Sequence, residues 1–92
     1  METDVKIDAQ NRLARMAGQV SGLQKMLDEE RYCVDILTQV AALRAALDQF
    51  GVIMLSTHLE NCVYGGENDT CANMSPVERR EEIRLTLNRF LK

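Results

Sequence analysis

Tryptophan is absent from this 92-residue chain, and tyrosine and phenylalanine occur only twice each, so any core must be aliphatic. Proline occurs once and glycine five times. Those are too few punctuators for many short strands and turns, and they favour long helices interrupted once or twice. The opening segment METDVKIDAQN contains no apolar run of signal-peptide length. No stretch of about 18 apolar residues stands out as a membrane span. These absences predict a cytoplasmic protein with no membrane partner. A basic excess is also missing: the net charge is −3, so contact with nucleic acid must use a local basic stripe. The length excludes a two-lobed enzyme and predicts a single domain over 1–92. A domain of this size buries only about two-thirds of its unfolded surface and often needs a partner chain.

What is present is globular in proportion, with 46% hydrophobic and 27% charged residues. Leu13, Met16, Val20, Leu23 and Leu27 recur at spacings of three and four, predicting helix one over 8–28. Gly18 and Gly22 are poor helix formers inside it, which predicts close approach of another helix. Asp28, Glu29 and Glu30 then suit the positive start of a second helix. That helix is predicted over 31–63, with apolar residues from Val34 to Leu59 wrapping more than one face. A helix of about 33 residues is roughly 50 Å long. Two short helices cannot bury it on several sides, so self-association is expected. Tyr64-Gly65-Gly66 ends it, and a polar loop runs to Met74. Ser75-Pro76-Val77-Glu78 combines an N-cap, a proline at the first helical position and a capping-box glutamate. Helix three is expected from there to Leu91, with Ile83, Leu87, Phe90 and Leu91 facing inward.

The chain has three cysteines and one histidine. In a reducing compartment such cysteines are buried thiols, metal ligands or reactive thiols rather than disulfides. His58 and Cys62 are four apart on a predicted helix, where they stand one above the other and can share a soft metal ion. Alone, that pair reads as well as a core histidine beside a buried thiol. Cys33 changes the balance. It lies 25 residues before His58 and 29 before Cys62, and at about 100° per residue both separations return to within roughly 20° of its direction. The same 25 residues span about 37 Å along a helix, so one chain cannot close the site.

Two chains can. If two long helices pair antiparallel about a two-fold axis, matching Cys33 to the midpoint of His58 and Cys62 puts the axis between Ala46 and Leu47. Arg44 then falls opposite the partner's Gln49. The outcome is two symmetric sites, each with two thiolates and an imidazole, a set that favours Cu(I) or Zn(II) over Mg or Ca. Three ligands suit trigonal Cu(I), whereas zinc would want a fourth. Cys71 is positioned by no spacing, and an exposed loop thiol is its simpler reading.

The segments Arg12-Leu13, Gly18-Gln19-Val20, Arg31 to Leu47 and His58-Leu59-Glu60-Asn61-Cys62 resemble the copper-sensing operon repressors, the CsoR/RcnR family, over about 8–92. The resemblance implies an all-α chain of three helices. Antiparallel helix-two pairing would build a dimeric four-helix bundle, and two dimers a homotetramer. It implies a repressor that binds operator DNA in the apo form and is released by metal, derepressing efflux or detoxification genes. The copper branch takes a Cys from one protomer and a His and a Cys from the other, which fall on Cys33, His58 and Cys62. The nickel and cobalt branch has His in place of Cys62 and an N-terminal His that this chain lacks. Formaldehyde-sensing members use an N-terminal Pro where Glu2 stands here and commonly lack the Cys at position 62. Persulfide-sensing members lack the His. Copper therefore fits best; the alternative is a formaldehyde or persulfide sensor with Cys33 as reactive thiol, and Cys71 resembles a Cys of some formaldehyde sensors.

The resemblance also assigns outer positions. A Tyr beside the first Cys and a Glu on helix three would link metal to DNA affinity, falling on Tyr32 and on Glu81 or Glu82. DNA contacts would include Arg12, Arg15 and Gln19, which the helical spacing puts opposite the Leu13, Met16, Val20 stripe. Two arginines on a helix are ordinarily a solvated face, but a tetramer multiplies the patch fourfold. A helix-two position that is often basic in the family is Gln49 here, which thins the set. An enzyme using a Cys with His58 as base lacks any sign of an oxyanion hole, a cleft or a third orienting group.

Overall fold

Three helices make up the described part of the computed structural model, which covers residues 1–60 and 75–91. They are α1 (Thr3–Asp28), α2 (Cys33–His58) and α3 (Pro76–Phe90), and no strand occurs among the described residues. The expected all-α class is observed. Cys62, Cys71 and the expected 59–63 end of helix two beyond Glu60 lie outside the described residues.

Helix α1 begins at Thr3, five residues before the expected start, and so takes in Val5 and Ala9. This shifts its inner face. The residues turned inward are Val5, Ala9, Arg12, Met16, Gln19, Leu23 and Met26, alternating four and three apart. Ala9 and Met16 are each only 6% exposed. The predicted Leu13, Val20, Leu27 edge faces outward instead, with Leu27 69% exposed. Gly18 and Gly22 face open space, so the expected close helix approach is not made among the described residues.

The acidic triplet does not start α2. Asp28 closes α1, Glu29 caps it, and Glu30 adopts a left-handed conformation at φ 52°. The Glu30 amide donates to the Leu27 carbonyl at 3.1 Å and the Arg31 amide to the Met26 carbonyl at 3.0 Å. That pair of bonds is a Schellman C-cap, which usually employs glycine at the left-handed position. The turn leads straight into α2, where the Asp35 and Ile36 amides donate to the Tyr32 carbonyl at 3.0 and 3.2 Å.

Helix α2 turns Ile36, Val40, Leu43, Ala46 and Phe50 partly inward, yet none of its residues is buried. Over its most apolar 18 residues the mean hydropathy is 1.3, which by length and composition alone is enough to cross a membrane. The expectation that no such stretch exists is corrected on that point, because charged residues are sparse along α2. Thr38 and Thr57 donate their hydroxyls to the Val34 and Ile53 carbonyls at 2.9 Å, which satisfies two polar groups inside this apolar helix.

Helix α3 starts where its sequence says. Ser75 Oγ accepts from the Glu78 amide at 3.1 Å, and Pro76 opens the helix. Arg79, Glu82, Ile83 and Leu87 are its part-buried residues. Phe90 and Leu91 were expected inside but are exposed, Leu91 by 74%, because the last turn has no covering element among the described residues. The chain divides into two units, 2–52 and 53–92 with Met1, each described separately below.

Candidate metal centre and basic groove

In the second unit, the end of α2 brings His58 to α3. Its Nε2 lies 3.0 Å from Glu82 Oε1, with both side chains between one-quarter and one-half exposed. Leu59 and Glu60 continue beyond His58 in a wider, π-type turn, a local feature frequent at functional sites. Glu82 lies on the same α3 face as Arg79 and Ile83, which are also part-buried. Glu81 points elsewhere. Its carboxylate accepts from Arg84 Nε at 3.1 and 3.2 Å and also contacts Arg84 Nη2. The hydrogen bond from Arg84 holds the Glu81 carboxyl below the usual carboxylate range, and Glu81 in turn raises Arg84. Of the two glutamates left open by the sequence, the structure puts Glu82 beside the histidine and commits Glu81 to an exposed ion pair.

A shallow groove of about 380 Å³ also lies in this unit, between Leu59, Pro76, Ile83 and the guanidinium groups of Arg79 and Arg80.

In the first unit, Cys33 is the first residue of α2 and is exposed, and Tyr32 beside it is 71% exposed. Cys33 opens a 26-residue helix that His58 closes. At 1.5 Å per residue the ends of such a helix are about 37 Å apart. Among the described residues, no group of three or more His, Cys, Asp or Glu side chains is close enough to hold a metal ion. Of the three residues that spacing brought together, Cys33 and His58 stand at opposite ends of α2, and Cys62 lies outside the described residues.

Arg12, Arg15 and Gln19 line a groove of about 440 Å³ together with Met16 and Ala46. They were expected opposite Met16. The correction follows from the rotated inner face: Arg12, Met16 and Gln19 are spaced four and three apart and so share one side of α1. Arg12 is half-buried on that side. Its Nε pairs with Asp8 Oδ2 at 3.0 Å, and Arg15 Nε donates to the Asn11 carbonyl at 3.5 Å. Both arginines are thus oriented by α1 itself. Sequence reading identified these three residues but missed the concavity, which needs α2's Ala46 opposite them; the small side chain was the available signal.

Comparison with known proteins bears on both features. The family described as metal-sensitive transcriptional repressor matches residues 5–89. A copper-sensing transcriptional repressor, CsoR, from Bacillus subtilis is 47% identical over 53 residues, 58% of this chain and 52% of that protein. The repressor RicR from Mycobacterium tuberculosis, also named copper-sensing, is 41% identical over 61 residues, 66% of this chain and 64% of that protein. The matched segment thus spans between one-half and two-thirds of these relatives' lengths. The crystal structure of CsoR with Cu(I) from Geobacillus thermodenitrificans superposes with a TM-score of 0.82 at 33% identity, covering 100% of this chain and 92% of that one. A variant of the formaldehyde-responsive regulator FrmR from Salmonella enterica superposes at 0.79 with 28% identity, covering 97% of each chain.

Proposed function

Because the chain belongs to the family of metal-sensitive transcriptional repressors, we propose that it is a cytoplasmic, Cu(I)-responsive repressor that binds operator DNA when metal-free and leaves it on binding copper. The observation that carries this reading is the His58–Glu82 pair at one end of α2 with an exposed Cys33 at the other. A histidine whose Nε2 is fixed on a carboxylate has its tautomer and ring orientation set, as metal-binding histidines usually do. Nδ1 would then be the ring nitrogen that holds the metal. Cys33 of one chain, with His58 and Cys62 of a second, would make a soft three-ligand site suited to trigonal Cu(I).

The basic groove supplies the other half. Arg12, Arg15 and Gln19 would meet the phosphate backbone, and repetition of the groove in a homotetramer built as a dimer of dimers would offset the chain's net charge of −3. Closing the intersubunit site would draw the α2 ends of two protomers together and move α1 with its arginines. Metal shifts DNA affinity only by the difference in its affinity for the two conformations, typically about 5 to 150-fold.

A second reading, a formaldehyde or persulfide sensor with Cys33 as the reactive thiol, draws on the FrmR likeness and the exposure of that thiol. The soft ligand set with His58 favours copper over it. Titrating the reduced protein with Cu(I), Zn(II), Ni(II), formaldehyde or persulfide while following operator binding separates the two. Cu(I) is expected to release DNA at the lowest concentration; stronger release by formaldehyde or persulfide would reverse the order, and by nickel would move the chain to another branch.

A further inference from the structure

On the outward side of α2, Arg44 and Asp48 stand four residues apart and both are exposed. Opposite charges at that spacing commonly pair along a helix. Here they do not: among the described residues neither makes a hydrogen bond or an ion pair. They flank Ala46, and at about 100° per residue Arg44 lies within roughly 20° of the direction of Cys33. Two unpaired opposite charges therefore sit near the middle of a helix that is apolar enough for a membrane yet has no buried residue. A surface of that kind calls for a covering partner, and the charge pattern is complementary to itself under a two-fold rotation.

We infer that Arg44 and Asp48 form reciprocal ion pairs across an antiparallel α2 to α2 seam and so fix the register in which two copies of this chain join. The inference rests on the intersubunit reading of the site proposed above. A two-fold axis through Ala46 sets Arg44 against the partner's Asp48, and Asp48 against the partner's Arg44. Sliding the helices by one turn in one direction opposes Arg44 to the partner's Arg44. Sliding them in the other opposes Asp48 to the partner's Asp48. Both shifts bring like charges together in a partly desolvated seam, so the pattern selects one register and penalises its neighbours.

That register follows from the two charges alone. It differs by half a residue in axis position from the one obtained by matching Cys33 to His58 and Cys62, which puts the axis between Ala46 and Leu47. An arginine side chain easily spans that difference. Charges at the centre of the helix and soft ligands at its ends thus specify the same alignment. The role of the pair is positioning: it sets which residues of the partner Cys33 meets, and touches no metal itself.

The test mixes two full-length variants, Arg44→Asp and Asp48→Arg, after circular dichroism has confirmed the helical content of each. Alone, each variant carries two like charges at the seam. Together they are complementary, and ion exchange separates the heterodimer from both homodimers. The expected result is a heterodimer excess of about tenfold over the statistical proportion at low salt, declining as salt is raised. If either variant loses its helices, Arg44→Gln and Asp48→Asn replace them, and each is expected to weaken self-association and flatten its salt dependence. Statistical mixing, or an unchanged salt dependence in the neutral variants, would overturn the ion-pair assignment while leaving the dimer intact. A native chain that sediments as a monomer would overturn the intersubunit reading itself.

Discussion

Glu82 and Glu81 are neighbours with different work. Glu82 reaches His58 at 3.0 Å, while Glu81 is held by Arg84 on an exposed side of α3. Glu82→Ala should therefore leave Cu(I) affinity within roughly tenfold, the lower end of what an outer partner of a metal ligand costs, while weakening copper-driven release of DNA. Glu81→Ala should leave release intact. Parallel metal and operator titrations check both, and equal effects from the two variants would remove the His58–Glu82 route. Tyr32→Phe belongs to the same series, since Tyr32 adjoins Cys33. Glu81 carries its own signature. Its folded-state carboxyl titrates below the unfolded value, so the Arg84 pair contributes above the unfolded pKa and is lost as pH falls through the folded one. In acid, α3 helicity followed by circular dichroism should fall more in the native chain than in Glu81→Gln, and the difference should shrink with salt because the pair is exposed.

At the scale of elements, the joint between α1 and α2 holds a glutamate in a conformation that favours glycine. A left-handed non-glycine residue costs about 1 to 2 kcal/mol, partly offset by the backbone entropy glycine adds to the unfolded chain. Glu30→Gly should consequently stabilise the protein by up to about 1 kcal/mol, seen as a raised urea midpoint with an unchanged slope at fixed protein concentration. A lowered midpoint would mean the Glu30 side chain contributes something the backbone does not reveal. Sequence signals located the elements unevenly, for physical reasons. Helix α3 was legible at its first residue because Ser75, Pro76 and Glu78 each act locally on the helix start. The start of α1 was not, since Glu2 makes no side-chain cap and Thr3 carries no apolar signal. The acidic triplet misled because charge near a helix boundary does not say which helix it serves; here it ends α1. The inner face of α1 was misplaced because Met16 belongs to two apolar stripes, and only the packing of α2 decides between them.

Taken whole, a chain with Ala9 and Met16 as the buried apolar residues among those described is thinly cored, and its longest apolar helix is uncovered. Association would give such a chain further burial, at roughly 25 cal/mol per Å² of apolar surface. The self-association expected from sequence and the proposed intersubunit site both turn on α2, a 26-residue helix whose two ends, at Cys33 and His58, are too far apart for one metal ion to bridge. The proposed ligand set comes from the sequence alone, where Cys33, His58 and Cys62 fall on one helical direction. The choice of Glu82 was not legible there, because residue 81 and residue 82 differ by one position after a loop of unspecified register.

A mixing titration with Cu(I) tests the shared site most directly. Cys33→Ala protein retains His58 and Cys62, and His58→Ala/Cys62→Ala protein retains Cys33. Neither alone should bind Cu(I) tightly, whereas their mixture should gain one tight site per heterodimer. Tight Cu(I) binding by either variant on its own, or none by the mixture despite heterodimer formation, would contradict a site shared between two chains.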